Sequence, residues 1–190
     1  MGRLIYSVIT SLDGYVDDAS GGFDWAAPDP EVHEHVNEIE RGVSTYLYGR
    51  RMYDVMSFWA DPPAFGESAD PLASAANDYA QIWRSADKVV FSTSLPDVTI
   101  PNAQLRRTFD PADVRSLVAA ATGDVSIGGP RLATQALAAG LVDEIHLYVC
   151  PVAVGPGGTS WIGRGVQLAM EQRELRRFDS GVTYVSYRVS

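Results

Sequence analysis

The sequence predicts an α/β fold with a mainly parallel central sheet and an antiparallel hairpin at its C-terminal end. Short β-rich runs alternate with helical patterns over residues 3–140, which is typical of parallel strands joined by right-handed crossovers. Two final β runs, residues 168–178 and 182–189, are separated by Asp179-Ser180-Gly181, which indicates a hairpin. The length of 190 residues, 46% of them hydrophobic, suits one domain with a sizeable core. We therefore expect residues 1–190 to form a single domain.

The predicted elements alternate along the chain, with turn signals at their boundaries. A glycine-rich loop that carries Trp25 follows the first strand and predicts a flap. Residues 61–70 are rich in Pro and Gly and predict a loop, and residues 99–108 are irregular with room for a short strand. Strands are predicted at 3–10, 45–48, 88–91, 125–127 and 144–154, and helices at 30–41, 50–57, 71–84, from 111 onward, and 130–139.

The charge balance narrows the classes of partner. A formal net charge of -9 argues against nucleic acid and anionic membranes, so a bound anion would need a local arginine cluster. Lys88 is the only lysine, and Cys150 is the only cysteine, so an internal disulfide is excluded. The N-terminus lacks a signal-peptide pattern and no apolar run reaches membrane-spanning length, which predicts a cytoplasmic protein.

A strand that runs into Gly128 and Gly129, followed by a helix, indicates a phosphate site. Glycines allow close approach of the backbone, and Pro130 suits the first position of a helix. Free N–H groups at a helix N-terminus attract anions. Arg131 lies in that first turn, where a cation opposes the helix dipole unless an anion is bound nearby. The predicted ligands therefore run from Gly128 through Leu132.

The same arrangement occurs earlier in the chain. A strand ends at Gly49, and Arg50, Arg51 and Met52 begin the next helix. The hydroxyl residues Ser92, Thr93 and Ser94 follow the next strand along the chain. The carboxyl ends of parallel strands meet at one edge of a sheet, so these residues can converge on one cleft with the Gly-Gly turn. The alternative is that the glycines form only tight turns and the arginines are solvated.

Five motifs in this order resemble the dihydrofolate reductase superfamily, most closely the C-terminal reductase domain of bifunctional riboflavin-biosynthesis enzymes. The motifs cover nearly the whole chain: Ser11-Leu12-Asp13-Gly14-Tyr15, Tyr48-Gly49-Arg50-Arg51-Met52-Tyr53, Phe91-Ser92-Thr93-Ser94, Ile127-Gly128-Gly129-Pro130 and Gly140-Leu141-Val142-Asp143-Glu144. The resemblance implies a three-layer dihydrofolate reductase-like fold. The zinc-deaminase signature of the bifunctional enzymes is absent, so only the reductase half is expected.

The resemblance also implies NADPH as cofactor. It places the cofactor phosphates on Gly49, Arg50, Arg51 and Met52, although dihydrofolate reductases usually have a threonine where Met52 stands. It places the adenosine 2′-phosphate on the hydroxyls at 92–94, and it implies a cis peptide bond between Gly128 and Gly129.

Two residues are candidates for the chemistry. The family keeps an acid on the helix before the Gly-Arg turn, and here Glu34 shares a helical face with Glu31 and Glu38, close to His33. A buried carboxyl there could donate a proton at neutral pH, whereas a solvated acidic face is the alternative. Trp25 resembles a tryptophan that dihydrofolate reductases place near their substrate, and simple packing against the edge of the core is the alternative.

The sequence thus predicts an NADPH-dependent reductase of a small heterocycle, either pterin- or dihydrofolate-like or a 5-amino-6-ribosylaminouracil-like pyrimidine. A non-catalytic nucleotide-binding or sensing domain and a flavin-binding reductase are the alternatives. No metal site is expected, because His33, His35 and Cys150 do not form a ligand set. Family members often dimerise through their terminal strands, so we expect a homodimer with Tyr148 and Val149, together with Val152, at its interface.

Overall fold

The computed structural model describes residues 2–62, 65 and 70–190. Its strands are β1 (Leu4–Ser11), β2 (Val43–Gly49), β3 (Asp87–Phe91), β4 (Ala103–Arg106), β5 (Asp124–Gly128), β6 (Glu144–Cys150), β7 (Met170–Arg177) and β8 (Thr183–Val189). Its helices are α1 (Pro30–Glu40), α2 (Arg50–Met56), α3 (Pro71–Ser85), α4 (Pro111–Ala120) and α5 (Pro130–Ala138), with 3₁₀ turns at Asp24–Ala26 and Ser57–Ala60.

The described strands form an eight-stranded sheet in the order β4-β3-β2-β5-β1-β6-β8-β7. The β2–β3, β3–β4 and β1–β6 pairs are parallel. The C-terminal strands β7 and β8 pair antiparallel with each other, and β8 pairs antiparallel with β6. The predicted α/β class, with its parallel sheet and terminal hairpin, is therefore confirmed.

Three helices begin with the same two residues, an aspartate followed by a proline. The side chain of Asp29 accepts hydrogen bonds from the backbone N–H groups of Glu31 and Val32 at 2.8 and 3.0 Å, and Pro30 then begins α1. Asp70-Pro71 and Asp110-Pro111 begin α3 and α4 in the same way. The aspartate oxygen satisfies N–H groups that have no partner within the helix, while proline has none to satisfy.

Most predicted boundaries agree with the structure to within two residues, and the exception is β6. The predicted strand at 144–154 ends at Cys150 because Pro151 follows it and cannot donate a ladder hydrogen bond. The irregular segment 99–108 does contain a strand, β4. The predicted loop at 61–70 lies partly outside the described residues.

The chain divides into two compact units. The first unit comprises Pro28–Ser126 with Gly2, and the second comprises Arg3–Ala27 and Ile127–Ser190. The core of the first unit is rich in aromatic side chains, and its buried members are Val43, Tyr46, Tyr48, Tyr53, Tyr79, Trp83, Ala86 and Val90. The Tyr46 and Tyr48 rings stack with centroids 5.5 Å apart, so β2 presents one aromatic face to the helices of this unit.

Lys88, the only lysine, is buried beneath this aromatic core. Its ammonium lies 4.1 Å from the centre of the Trp83 ring and donates a 2.8 Å hydrogen bond to the carbonyl of Ala86. Burial lowers the pKa of Lys88 to about 8. The Trp83 indole N–H in turn donates to the Tyr48 hydroxyl at 3.0 Å. A cation and a phenol are thus accommodated in the core because each has a polar or π partner.

The second unit is organised by aspartates in its loops. The buried carboxylate of Asp17 accepts from the backbone N–H and the hydroxyl of Thr159, at 2.5 and 3.1 Å. Asp13 accepts from the backbone N–H groups of Val154 and Gly155 at 3.2 and 2.8 Å. These bonds fasten the loop after β1 to the segment after β6, which gives Asp13-Gly14 a structural role in this turn.

Candidate functional site

Gly49 ends β2 and precedes α2 in an ordinary extended conformation. Its φ of -78° does not require glycine, and the helix that follows has no side-chain cap. Arg50 and Arg51 are exposed at the start of α2. The Met52 side chain is partly buried against the aromatic core of the first unit.

Two of the predicted ligands contact each other. Nη1 of Arg50 donates a 2.9 Å hydrogen bond to the Ser94 hydroxyl, which connects the start of α2 to the turn after β3. Arg50 also lies 3.7 Å from the carboxylate of Asp54, one helical turn further on. Thr93 and Ser94 are exposed beside it. The structure therefore brings together the residues that follow β2 and β3, as parallel pairing of those strands requires.

Ser92 has a different place from its two neighbours. Its side chain is buried, and its hydroxyl oxygen accepts from the backbone N–H groups of Ser94 and Leu95 at 3.3 and 3.0 Å. A serine that bonds to the backbone two and three residues ahead closes a tight turn. Ser92 thus shapes the turn that exposes Thr93 and Ser94.

Arg107 is part of the same turn and is not among the residues predicted from the sequence. Its guanidinium donates to the backbone carbonyls of Ser92 at 3.2 Å and Pro96 at 3.0 Å, and also to that of Leu95. Arg107 follows β4 directly, at the carboxyl end of a strand that pairs parallel with β3. That position was the available signal, and the irregular pattern of residues 99–108 concealed it.

The Gly-Gly junction of the second unit joins β5 to α5. Gly129 has a φ of +89°, which favours glycine, and no side chain caps the helix at this position. Arg131 is exposed, whereas the Leu132 side chain is buried, so Leu132 can offer a ligand only its backbone. The described residues contain no cis peptide bond, which corrects the expectation for Gly128 and Gly129. The positive φ of Gly129 turns the chain there instead.

The predicted acid, Glu34, is exposed on α1, as is Glu38. Burial was the reason to expect a proton-donating carboxyl on this helix. Glu34 is not buried, so that reason does not apply to it. His33 is the buried neighbour: it is 7% exposed, and its ring lies 5.7 Å from that of Tyr79 and 6.2 Å from that of Trp59.

A chain of hydrogen bonds indicates which ring nitrogen of His33 carries the proton. The Asn37 amide nitrogen donates to the Ala75 carbonyl at 2.9 Å and to the Asp78 carboxylate at 2.7 Å, so its oxygen is left as an acceptor. That oxygen lies 3.2 Å from Nδ1 of His33, which must carry the proton. The chain joins α1 to α3, and His33 is a satisfied residue of that helix interface.

Trp25 lies half-buried in the 3₁₀ turn of the second unit. Its indole Nε1 is buried and has no hydrogen-bond partner among the described residues. A buried indole N–H usually finds an acceptor. Trp25 therefore has a donor available.

Glu40 is a buried acid at the end of α1, four residues after Val36 on the inner face of the helix. It is 6% exposed, and its Oε2 has no hydrogen-bond partner among the described residues. Burial raises the pKa of this carboxyl to about 7, and the neighbouring Tyr46 hydroxyl opposes part of the rise. The helical spacing from Val32 and Val36 was a signal that could have identified it.

A groove of about 690 Å³ in the first unit runs along α4 and the strands β2, β3 and β4. It reaches Ser44 and Asp87 near the amino ends of β2 and β3. None of the residues predicted to hold a cofactor lines it, and Arg107 is its link to the turn after β3. Its lining mixes acids with arginines, so its charge does not single out one ligand.

The described residues contain no group of three or more His, Cys, Asp and Glu side chains arranged to hold a metal ion. None of their helices is both long and apolar enough to cross a membrane.

The chain is similar to known proteins over its whole length. It is 27% identical to the uncharacterized protein YyaP of Bacillus subtilis (strain 168), across 97% of this chain and 94% of that protein. A putative riboflavin biosynthesis protein from Shewanella sp. PV-4 has the same fold, with a TM-score of 0.76, 22% identity and 99% coverage of both chains. Dihydrofolate reductase from Enterococcus faecalis, solved in complex with NADP(H), matches with a TM-score of 0.65 and 14% identity, over 100% of this chain and 97% of that one.

The family comparison agrees with these structural similarities. The sequence model of the RibD C-terminal domain matches residues 3–184, nearly the entire chain. The matched residues include the turn at 49–52 after β2, the turn at 92–94 after β3 and the Gly-Gly junction. The fold is accordingly the dihydrofolate reductase-like α/β fold, and the protein belongs to the RibD C-terminal domain family.

Proposed function

We propose that this protein is an NADPH-dependent reductase of a small heterocycle. The observation that carries the proposal is the contact between Arg50 and Ser94, with Thr93 beside it, at the carboxyl ends of two parallel strands. Ligands of open α/β sheets bind beyond those ends. In a chain of net charge -9, this arginine and hydroxyl set is a local site for a phosphate.

The donors in each unit fit the phosphates of NADPH. In the first unit, Arg50, Arg51 and the hydroxyls of Thr93 and Ser94 would hold phosphate oxygens. In the second unit, the uncapped N-terminus of α5 at Gly129 offers free backbone N–H groups, which suit a diphosphate. NADPH, when bound, supplies the hydride, and the protein binds and orients the reactants.

The relatives support the substrate class that we infer. The similar proteins include a putative riboflavin biosynthesis protein and a dihydrofolate reductase, so a pyrimidine- or pterin-like heterocycle is the substrate that we infer. The free indole N–H of Trp25 would donate to an acceptor on such a ring. Glu34 remains our proposal for the proton donor. Its exposed carboxyl group, in the protonated form, would pass the proton to the substrate through water and take up another from solvent. The proposed protein is a cytoplasmic homodimer, and its two subunits contact each other through their terminal strands.

Titration with NADPH and NADH tests the cofactor. We expect the parent protein to prefer NADPH, because only NADPH carries the 2′-phosphate. Replacing both hydroxyls, Thr93→Val with Ser94→Ala, should weaken NADPH binding by about 10-fold and leave NADH binding nearly unchanged. Equal affinity of the parent for the two cofactors would contradict the proposal, and a yellow protein with bound flavin would favour the flavin alternative.

Turnover distinguishes a reductase from a sensor. NADPH consumption should be measured with dihydrofolate and with a ribosylaminouracil-type pyrimidine, using the Glu34→Gln variant as a comparison. Tight NADPH binding without consumption in the presence of any heterocycle of these two classes would support a non-catalytic nucleotide-binding domain instead.

A further inference from the structure

We propose that Arg107 is a positioning residue that sets the preference for a nucleotide carrying a phosphate monoester, by holding the turn at residues 92–96 in the shape that presents Thr93 and Ser94. This inference rests on the proposed function and adds to it a residue outside the motifs of the family resemblance. All the residues that it involves lie in the first unit.

The contacts of Arg107 are directed at the backbone of one turn. Its two terminal nitrogens donate to the carbonyls of Ser92, Leu95 and Pro96. From within the turn, the Ser92 hydroxyl accepts from two backbone N–H groups. The turn is thus held at its carbonyls by Arg107 and at its N–H groups by Ser92, while the side chains of Thr93 and Ser94 stay exposed.

The planar guanidinium is suited to this task. It presents five N–H donors in a fixed fork, so it can bond several carbonyls at once with little loss of side-chain freedom. A lysine ammonium is a point charge on a flexible stem and would not hold the carbonyls in the same relative positions. An arginine to lysine change at this position therefore tests geometry more than charge.

The turn also keeps a positive charge. Arg107 has no carboxylate partner among the described residues, since its bonds go to neutral carbonyls. The acid nearest to Arg50 is Asp54, at 3.7 Å with both side chains about half exposed, which is a weak pairing. Asp97, in the same loop, has its carboxylate 2.8 Å from the backbone N–H of Val98.

These features favour a dianionic phosphate monoester as the ligand of the turn. Two exposed hydroxyls can donate to its oxygens, Arg50 can form a charge-assisted bond, and Arg107 adds a second positive charge. The 2′-phosphate of NADPH is such a group, and NADH has a neutral hydroxyl in its place. Arg107 should therefore affect the choice between the two nucleotides more than their common binding.

The test compares NADPH and NADH affinities of four proteins: the parent, Arg107→Ala, Arg107→Lys and the control Arg115→Ala. Arg115 is exposed on α4, so Arg115→Ala removes the same charge from the same unit without changing the turn. We expect Arg107→Ala to weaken NADPH binding by about 10-fold or more and to leave NADH binding within about two-fold of the parent. Arg107→Lys should recover only part of this loss, and Arg115→Ala should match the parent.

Thermal unfolding of each variant keeps the test informative. If Arg107→Ala does not fold, the NADPH to NADH ratio of Arg107→Lys carries the comparison. A parent protein that prefers NADPH and keeps that preference in the folded Arg107 variants overturns this inference alone. Equal losses of NADPH and NADH binding also overturn it, because they show a general structural role. A parent that binds neither nucleotide overturns the proposed function, and this inference with it.

Discussion

The guanidinium of Arg50 donates a 2.9 Å hydrogen bond to the hydroxyl of Ser94, 44 residues further along the chain. Arg50 begins α2 directly after β2, and Ser94 lies in the turn directly after β3. Because β2 and β3 are parallel neighbours, with Gly49 opposite Phe91, the residues that follow them are brought side by side. We propose that this cation and this hydroxyl, which meet at the ends of parallel strands, form part of an anion site.

Removing this arginine should weaken cofactor binding. Arg50→Ala is expected to lose about 1–3 kcal/mol of NADPH binding free energy, the typical contribution of a charge-assisted hydrogen bond. Arg51→Ala should weaken NADPH binding as well, because Arg51 is exposed in the first turn of the same helix. Calorimetric or fluorescence titration with NADPH measures both variants.

A distant arginine provides the control for that titration. Arg173 is on β7 and pairs with Glu171 at 3.1 Å, so Arg173→Ala removes one charge far along the sequence from the predicted motifs. It should bind NADPH as the parent does. The phosphate site is refuted if Arg50→Ala, Arg51→Ala and the double variant all retain the parent affinity.

The positive φ of Gly129 predicts two effects of one substitution. Gly129→Ala forces an alanine to adopt φ near +89°, which should lower stability by about 1–3 kcal/mol. It should also reduce NADPH affinity, because the added methyl group lies at the N-terminus of α5. Chemical denaturation and NADPH titration measure the two effects separately.

Gly140 is a matched control for backbone strain. It also has a positive φ, +61°, and a methyl group there would meet nothing within 4 Å. Gly140→Ala should therefore lose stability and keep NADPH affinity. If both variants bind NADPH like the parent, Gly129 serves only to turn the chain.

Glu40 predicts a pH dependence of stability. Its pKa is raised from 4.5 to about 7 in the folded protein, so the folded state holds this proton more tightly than the unfolded chain. The contribution of Glu40 is most favourable below pH 4.5, declines as the pH rises to about 7, and stays unfavourable above that. At about 1.4 kcal/mol per pKa unit, the whole change is on the order of 3 kcal/mol.

The Glu40→Gln variant isolates this contribution, since glutamine has the same shape and no charge. We expect Glu40→Gln to exceed the parent in unfolding free energy at about pH 9, and the difference to shrink as the pH falls towards about 5. Urea denaturation over this range measures it. A constant difference between the two proteins at all pH values would show that the Glu40 carboxyl does not titrate in this window.

Much of the fold could be predicted because its signals are local. Alternating patterns mark the strands, Asp-Pro pairs mark the starts of three helices, and Asp179-Ser180-Gly181 marks the terminal hairpin. The predicted end of β6 was four residues too far along the chain. The apolar pattern continues past Pro151, but the hydrogen-bond ladder does not, because proline has no N–H to donate.

The site was predictable in part, for the same reason. Glycines and arginines at strand ends are visible in the sequence, so Arg50 and Ser94 are predicted ligands, and the structure brings the two side chains into contact. The burial of Glu40 and His33 and the exposure of Glu34 depend on which face of α1 packs against the rest of the first unit. The three residues lie only a few positions apart along the helix.

Backbone preference and apolar spacing act over a few residues, so the α/β class, the order of the elements and the residue types at each strand end can be read from the sequence. Which of those residues contact one another depends on the tertiary structure. Arg107 bonds to carbonyls 11 to 15 residues earlier in the chain, and Ser92 turns its hydroxyl inward to close the same turn. Such contacts arise from strand pairing and from the need of buried backbone groups for partners, which no local pattern specifies.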